Sequence, residues 1–459
     1  MDLRGKRVLI MGLGLHGSGI ASARYAARLG AIVRVTDLRS AEVLAPSIAS
    51  LAGLPVEYVL GEHRAEDFLW AEIVIHVPGV RRNSSYLQIA RDNGARIEQE
   101  IALFFQACPG RIIGITGTRG KTTTTTLIYE ILRAHGIPAT IGGNVSGIET
   151  LSLLPLITPQ TLVVLELSSW QLEGLAPYRL SPSVAVMTNI YPDHLDTYAS
   201  MEEYAAAKAN IFLHQHATDL ALVNYDNPWT RRLGEQAVAE TWYTSLERWG
   251  SFPRDSATFL PFIFTETPVI GRHNLENILL ATTTARLLGV SDETIASTVR
   301  SFHGVAHRLE EIAVIDGVRY INDTTSTTPV AGRMALAAFD GPIVLVAGGN
   351  TKFLPLEDWP EMIIKRCRDV ILLKGTGTDE LLPTLQDASR RLGIPDPVRG
   401  VFGDFTTAMD AAVSLTHPGD VLLLSPGFTS FGMFLNEFDR GDTFVTYVRR
   451  LIDSRSPSN

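Results

Sequence analysis

Cysteine is scarce in this 459-residue chain. Its two cysteines, Cys108 and Cys367, lie far apart, and neither belongs to a C-x-x-C motif or a mixed Cys/His cluster. Isolated cysteines argue against a disulfide framework and against a cysteine-based zinc site. We expect both to be buried, unreactive thiols.

Long apolar runs are missing as well. No uninterrupted run approaches the roughly 18 apolar residues that a membrane-spanning helix needs. The first apolar segment, residues 8–15, is interrupted by glycines, which is typical of a strand and its turn and not of a signal peptide. We therefore expect no membrane association and a cytoplasmic location.

Positive charge is in deficit. Lysine and arginine together number 40 against 49 aspartates and glutamates, which gives a net charge of −9. Nucleic-acid binding requires a basic face, so nucleic acid is excluded as a partner and small molecules are favoured. The apolar content of 45% is typical of a globular protein, and about 150 residues per domain predicts roughly three domains in a monomer.

The clearest motif is the segment Gly114-Ile-Thr-Gly-Thr-Arg-Gly-Lys-Thr122. It combines an apolar strand, a glycine turn and a Lys-Thr pair that opens a helix, as in loops that bind a nucleoside triphosphate and Mg²⁺. A strict phosphate-loop motif has glycine at position 115, where this chain has isoleucine, so a glycine turn followed by a chance Lys-Thr is the alternative. The predicted ATP-binding residues are Gly117, Thr118, Gly120, Lys121, Thr122 and Thr123.

A second nucleotide-like motif lies at the start of the chain. Residues 7–17 form an apolar strand that runs into G-x-G-x-x-G, and a second strand ends at Asp37, about 20 residues later. This pattern predicts a Rossmann-like βαβ unit. NAD, FAD, another nucleotide or purely structural glycine packing all remain open, and with them a nicotinamide-dependent oxidoreductase.

Polar residues follow two apolar strands of the central region. Glu166 lies at the end of the strand at 161–167, and His194 follows the strand at 184–190, while Lys208 lies on the next helix. Carboxyl ends of parallel strands share one edge of a sheet, so Glu166 could meet the phosphate loop as a magnesium ligand. Taken singly, a salt-bridge glutamate, a core histidine and an exposed helix lysine are the alternatives.

Strands and helices alternate along most of the chain, with an irregular β-rich part expected at 217–270 and further strands at 343–347, 370–373 and 421–424. The predicted fold class is α/β with three domains. These are a Rossmann-like N-terminal domain (1–108), a P-loop mononucleotide-binding central domain (109–307) and a Rossmann-like C-terminal domain (308–459).

Five further segments, in order along the chain, complete the pattern. They read E-L-S-S-W-Q-L-E (166–173), N-I-Y-P-D-H-L-D (189–196), A-A-A-K (205–208), G-R-H-N-L-E-N (271–277) and A-H-R-L-E (306–310). With the phosphate loop and the closing S-P-G-F-T-S-F and D-R-G-D-T-F segments, the whole chain resembles the Mur ligase family.

The resemblance implies an activity. It implies an ATP-dependent ligase that joins glutamate to UDP-N-acetylmuramoyl-L-alanine through an acyl phosphate, in peptidoglycan precursor synthesis. D-glutamate is favoured, and L-glutamate or another amino acid remains open. Other Mur ligases, folylpolyglutamate synthases and a non-catalytic P-loop switch or motor are the alternatives. The implied cofactors are ATP and two Mg²⁺ ions, with Lys208 carbamylated.

The resemblance also implies residue roles. Lys121, Glu166, His194 and Lys208 would be catalytic, and Thr122, Glu166, His194 and Lys208 would hold metal. Asn274 and Asn277 would bind adenine, Arg308 a phosphate and Asp323 the ribose. The UDP-sugar would contact Leu15, His16, Asp37, Arg39, Gly79 and Asn144, and the amino acid would contact Thr327, Lys352 and Ser430.

Two positions depart from the family pattern. Arg119 stands in the phosphate loop where the family usually has asparagine, and Thr325 stands near the amino acid where a lysine is typical. A site for a dicarboxylate loses a cation at position 325.

Overall fold

The computed structural model describes residues 2–15, 17–80, 83–145, 148–195, 197–262, 267–430 and 432–455. Three α/β units follow one another along the chain, and each is built on its own sheet. No helix within these described ranges is both long enough and apolar enough to span a membrane.

The N-terminal unit is a parallel five-stranded sheet with the order β3-β2-β1-β4-β5. Residues 8–11 of the central strand are all buried, because helices cover both faces of a parallel sheet. The elements are β1 (Arg7–Met11), α1 (Ser18–Arg28), β2 (Ile32–Asp37), α2 (Ala45–Ala49), β3 (Val56–Leu60), α3 (Ala65–Trp70), β4 (Ile73–His76), α4 (Ser85–Asp92), β5 (Arg96–Gln99) and α5 (Glu100–Ala107).

The central unit has an eight-stranded sheet in the order β13-β12-β11-β10-β9-β6-β8-β7. The elements are β6 (Arg111–Thr116), α6 (Lys121–Ala134), β7 (Ala139–Gly143), β8 (Leu162–Glu166), α7 (Ser169–Leu175), β9 (Val184–Met187), α8 (Met201–Ala209), β10 (Leu220–Asn224), α9 (Pro228–Gly234), β11 (Glu240–Ser245), β12 (Gly250–Pro253), β13 (Leu260–Pro261), α10 (Arg272–Leu287) and α11 (Asp292–Ser301). Two 3₁₀ helices, Thr150–Leu156 and Ala176–Tyr178, flank β8 and α7.

The C-terminal unit has a six-stranded sheet in the order β14-β15-β19-β16-β17-β18. Its alternating strand residues pack into two apolar clusters, one on each face, as the two-residue period of a strand requires. The elements are β14 (Glu310–Ile315), β15 (Val318–Asn322), α12 (Pro329–Leu336), β16 (Ile343–Gly348), α13 (Trp359–Arg366), β17 (Cys367–Leu373), α14 (Thr376–Leu392), β18 (Val398–Phe402), α15 (Phe405–Ser414), β19 (Val421–Leu424) and α16 (Glu437–Arg455).

The predicted α/β fold class with three units is confirmed, but two details differ. The segment 217–270 is more regular than expected, because β10 and β11 continue the parallel sheet of the central unit and only β12 and β13 run antiparallel. Cys367 is buried as expected, whereas Cys108 is partly exposed at the end of α5, so the expectation of burial is wrong there.

Candidate functional site

The glycines of the phosphate loop are required by close contacts. Gly117 has φ 151°, and a side chain there would lie 1.9 Å from the hydroxyl of Thr188. Gly120 has φ 81°, and a side chain there would lie 2.0 Å from the Oδ1 atom of Asn277. Any other residue would be strained and would collide, so the loop can approach β9 and α10 only with glycine at both positions.

The loop is tied to the end of β9 through its backbone. The N–H of Thr118 donates to the carbonyl of Asn189 at 2.8 Å, and the N–H of Arg119 donates to its side-chain oxygen at 2.8 Å. The hydroxyl of Thr188 donates to the carbonyl of Arg119 at 2.6 Å. Ile115, the departure from the strict motif, is fully buried in β6, so the tight turn begins only at Gly117.

Two lysines converge on this loop from different helices. Lys121 begins α6, and its Nζ donates to the carbonyls of Gly117 and Thr118, both at 3.1 Å. Lys208 lies on α8, whose N-cap is Ser200, and its Nζ donates to the same Gly117 carbonyl at 2.9 Å. Lys208 is only 2% exposed, so it is not the exposed helix lysine of the alternative interpretation.

Burial sets the protonation of both amines. It lowers the pKa of Lys208 far below the ordinary value, and the neighbouring Lys121 lowers it further. Burial also lowers the pKa of Lys121, although Glu166 partly offsets this effect. Two buried like charges this close disfavour double protonation, so Lys208 is poised to be a neutral amine.

Glu166 lies beside the first turn of α6. Its Oε2 accepts the hydroxyl of Thr122 at 2.7 Å, and its Oε1 accepts the side-chain amide of Asn144 at 3.1 Å. The carboxylate is buried at the end of β8. The structure therefore brings together Thr122, Glu166 and Asn144, three of the residues that the sequence singled out.

His194 follows β9 in a left-handed backbone conformation, with φ 55°. Its ring lies 4.7 Å from that of Trp170, and burial lowers its pKa, so the imidazole is neutral and keeps a lone pair for a metal. The Oδ2 atom of Asp193 lies 3.8 Å from the Nε2 atom of the ring, and its Oδ1 atom accepts the backbone N–H of His194 at 3.0 Å. Burial alone would raise the pKa of Asp193, but the positive charges of Arg119, Lys352 and Lys121 hold it at about 2.

Five of the predicted nucleotide residues line a cleft of about 60 Å³ between the central and C-terminal units. The central unit contributes Gly120, Thr123 and Asn274 to its lining, while Arg308 precedes β14 and Asp323 follows β15 of the C-terminal unit. Asn277 donates to Asn274 at 3.2 Å just behind the lining. Burial raises the pKa of Asp323 to about 7, partly offset by hydrogen bonds from Ser425 and the N–H of Leu309.

The predicted amino-acid residues lie on the C-terminal unit beside that cleft. The Nζ atom of Lys352 donates to the hydroxyl of Thr327 at 3.3 Å. The hydroxyl of Ser430 is buried without a hydrogen-bond partner in the described part of the chain. A buried hydroxyl without a partner costs free energy, which is consistent with a place where a ligand group binds.

Asp37 has a structural task in the N-terminal unit. Its Oδ2 accepts the N–H groups of Leu13 and Gly14 at 2.9 and 3.0 Å, and its Oδ1 accepts the N–H of Arg39 at 2.9 Å. The carboxylate therefore holds the glycine-rich turn in shape, and its contact with a ligand stays a prediction. Leu15, Arg39 and Gly79 are exposed at the same edge of the sheet, and His16 lies outside the described residues.

A larger cavity, of about 700 Å³, lies between β5 and the helices α7 and α8. None of the predicted site residues lines it. The larger cavity is therefore not the predicted site. The predicted site is identified by the nucleotide-binding motif residues that line the smaller cleft.

Two functional candidates were missed by the sequence interpretation. Asp193 appeared there only within the segment N-I-Y-P-D-H-L-D (189–196), and Arg119 only as a departure. The signal for Asp193 was an acidic residue that follows a buried strand, at the sheet edge where the carboxyl ends of the parallel strands meet. In the described residues, no group of three His, Cys, Asp or Glu side chains forms a complete metal site.

Comparisons with known families agree with this geometry. The description "Mur ligase middle domain" matches residues 115–285, and "Mur ligase MurD-like, N-terminal domain" matches residues 6–99. A UDP-N-acetylmuramoylalanine–D-glutamate ligase from Roseiflexus sp. (strain RS-1) is 46% identical, covering 99% of this chain and 100% of the relative. The ligase of the same name from Symbiobacterium thermophilum is 36% identical, covering 97% and 98%.

Solved structures share the fold. The UDP-N-acetylmuramate-alanine ligase MurC from Thermotoga maritima superposes with a TM-score of 0.62 at 20% identity, covering 98% of this chain and 100% of that one. The MurF ligase from Thermotoga maritima in complex with ADP superposes with a TM-score of 0.57 at 18% identity, covering 99% and 97%. At such low identity the likeness establishes the three-unit architecture alone.

Proposed function

The chain belongs to the Mur ligase family, and from that premise we propose that it joins D-glutamate to UDP-N-acetylmuramoyl-L-alanine in an ATP-dependent step of peptidoglycan precursor synthesis. The observation that carries this proposal is the full-length identity of 46% to a ligase of that name. The convergence of the nucleotide residues on one cleft beside Lys352 and Thr327 supports it.

The first step is phosphoryl transfer. A carboxylate oxygen of the L-alanyl group attacks the γ-phosphorus of ATP, the bond from phosphorus to the β,γ-bridging oxygen breaks, and ADP leaves. Lys121 and the N–H groups of the first turn of α6 would face the phosphates and stabilise the charge that develops between two anionic reactants. The N–H groups of Thr118 and Arg119 are used by Asn189, and these bonds fix the loop that leads into α6 before ATP binds.

The second step is acyl transfer. The free amine of glutamate attacks the acyl carbon, the bond from carbon to the phosphate oxygen breaks, and the departing phosphate takes the proton that the nitrogen releases. Lys352 and Thr327 would hold the amino acid on the C-terminal unit beside the cleft. Closure of that unit over the cleft would exclude water from the acyl phosphate.

The donor set suits Mg²⁺. Thr122 and Glu166 offer oxygen atoms, and the neutral imidazole of His194 offers nitrogen. Bound there, Mg²⁺ would neutralise phosphate charge during the transfer. Lys208 fits this set only as an oxygen donor, because an ammonium would repel the ion.

Carbamylation of Lys208 would supply that oxygen donor. The neutral amine attacks CO₂, a C–N bond forms, and one proton is released, so the side chain becomes an anionic carbamate. Burial and the nearby Lys121 favour the neutral amine that this reaction needs. The carbamate would remove the repulsion between the two amines and place a negative charge beside Glu166 and His194.

We further propose that the chain acts as a monomer in the cytoplasm, with the UDP-sugar on domain 1–108, ATP on domain 109–307 and glutamate on domain 308–459. Leu15, Arg39 and Gly79 at the exposed edge of the N-terminal sheet support the UDP-sugar assignment.

Phosphate release from ATP tests the proposed function. We expect release only when UDP-N-acetylmuramoyl-L-alanine and D-glutamate are both present, together with a product that mass spectrometry identifies as the amide. Parallel assays with L-glutamate decide the configuration. Product with L-glutamate alone would overturn the stereochemical assignment, and product with neither would overturn the glutamate assignment.

A further inference from the structure

Arg119 joins the phosphate loop to the C-terminal unit. Its backbone is held by Thr188 and Asn189, so the position of its Cα is set by the central unit. Its guanidinium reaches across and donates through Nη2 to the hydroxyl of Thr328, the N-cap of α12. The side chain is 18% exposed and lines the cleft between the two units.

The guanidinium is not fully used by these contacts. Its Nε is buried and has no hydrogen-bond partner within the described ranges. The nearest carboxylate recorded for it, that of Asp193, lies at 3.9 Å, beyond hydrogen-bond distance. A guanidinium has five N–H donors, and a buried donor without an acceptor is costly, so the site has room for an anionic partner.

The neighbours of Arg119 belong to the predicted amino-acid pocket. Thr328, its partner, directly follows Thr327, which accepts from Lys352. The hydroxyl of Thr325, two residues before Thr327, donates to the carbonyl of His307 at 2.9 Å. Position 325 therefore offers this pocket neither a charge nor a free hydroxyl hydrogen.

The local charge favours an anion. Asp193 is the acid next to Arg119, and the cations Lys352 and Lys121 act on it together with Arg119. The cations around this carboxylate outnumber it. An arriving carboxylate would meet net positive charge and a guanidinium with the fork geometry that suits it.

We propose that the guanidinium of Arg119 binds a carboxylate of the incoming amino acid. The phosphate loop then supplies the positive charge that Thr325 does not carry on the C-terminal unit. Resting on the proposed ligase function, the inference names the acceptor class as an α-amino dicarboxylic acid. It makes the acceptor site depend on both units, because Lys352 comes from one and Arg119 from the other.

Steady-state kinetics of R119N and R119K test this role. With ATP and UDP-N-acetylmuramoyl-L-alanine saturating, R119N should raise the KM for D-glutamate by about 10- to 100-fold, the loss expected for one charged hydrogen-bonded pair. R119K should raise this KM less, because lysine keeps the positive charge but lacks the paired N–H donors of the guanidinium. Adding T325K to R119N should recover at least part of the lost affinity, because it restores a cation to the same pocket.

A second readout separates this role from phosphoryl transfer. Hydroxylamine traps the acyl phosphate without glutamate, so its capture reports the first step alone, and R119N should retain that capture. Loss of capture in R119N and R119K would place Arg119 on the phosphates and overturn the inference, as would an unchanged KM for D-glutamate. Wild-type protein that forms no amide with glutamate would instead overturn the proposed function, and melting temperatures check the folding of each variant.

Discrimination against the amides of glutamate gives a third readout. Wild-type protein should prefer D-glutamate to D-glutamine and to D-isoglutamine, each of which lacks one of the two carboxylates. In R119N the preference over one of these two amides should shrink by the same factor as the loss in affinity. Preferences that are unchanged over both amides would overturn the inference.

Discussion

Lys121 and Lys208 donate to one carbonyl oxygen, that of Gly117, from two different helices. Only one amine can hold its proton easily there, and Glu166 favours the charge of both, so it does not choose between them. Lys208 is more strongly shifted and has two alanines, Ala205 and Ala207, as buried neighbours on α8. In the proposed function the pair therefore divides into Lys121, a cation that faces phosphate, and Lys208, an amine that reacts with CO₂.

Substitution of Lys208 tests the reactive amine. K208A should lose ligation activity by at least about 100-fold, because an oxygen donor to the metal disappears. Added formate or acetate should restore part of the activity by supplying that oxygen. With ¹³CO₂, a carbamate signal should appear in wild-type protein and be absent from K208A.

Lys365 provides the matched control for that experiment. It also lies on a helix, but it is exposed and pairs with Glu361 at 3.2 Å. K365A should keep full activity and should not respond to formate. Full activity in K208A would contradict the carbamate, as would a ¹³C spectrum without the signal in active wild-type protein.

At the scale of elements, α5 connects the N-terminal and central units through a titratable contact. Glu100, the first residue of α5, is buried and accepts the N–H of Leu151 from the 3₁₀ helix Thr150–Leu156 at 3.3 Å. Burial raises the pKa of Glu100 to about 7. Between its unfolded pKa near 4.5 and pH 7, the folded protein keeps a proton that the unfolded chain releases.

This contact predicts a pH-dependent stability. Because the folded pKa is raised, the contribution of Glu100 falls as pH rises from about 4.5 to 7 and stays low above pH 7. E100Q keeps an acceptor for Leu151 and removes the titration, so it should be more stable than wild type at pH 8 by about 3 kcal/mol. At pH 5 the gain should fall below about 1 kcal/mol.

Thermal unfolding at pH 5 and pH 8 measures the effect. The control is E293Q, which removes a charge from an exposed position in the first turn of α11. It should not change the difference between the two pH values. If the change in unfolding temperature between pH 5 and pH 8 were the same for E100Q and wild type, Glu100 would be ionised in the folded protein.

Over the whole molecule, the three units are not equally joined. One apolar cluster runs from α1 and α5 of the N-terminal unit into β8 and α7 of the central unit. The C-terminal unit has its own two clusters and faces the central unit across the polar nucleotide cleft. We expect the C-terminal unit to be the part that moves when ligands bind.

Hydrogen exchange tests where ligands bind. A non-hydrolysable ATP analogue should slow exchange both in the phosphate loop, 117–123, and in the C-terminal segment 323–328, because both lie at one cleft. UDP-N-acetylmuramoyl-L-alanine should protect residues 13–15 and 37–39 instead, and NADH should protect neither. Protection of the N-terminal turn by NADH would revive the oxidoreductase alternative.

Much of the fold and the motif residues could be predicted from the sequence. Local patterns carry that information, because glycine turns, strand periodicity and the Lys-Thr pair depend on neighbours in the chain. The same patterns misjudged the segment 217–270, where β10 and β11 are strands because the central sheet offers them partners. They also left Arg119 as an unexplained departure.

The sequence by itself determined the α/β units, the phosphate loop and the family. Only the tertiary structure decided that Lys121 and Lys208 share one carbonyl, that Asp37 is occupied by Leu13, Gly14 and Arg39, and that Arg119 reaches Thr328. Local structure follows from residues a few positions apart, whereas the protonation of a buried amine and the reach of a guanidinium depend on groups that folding brings together from distant segments.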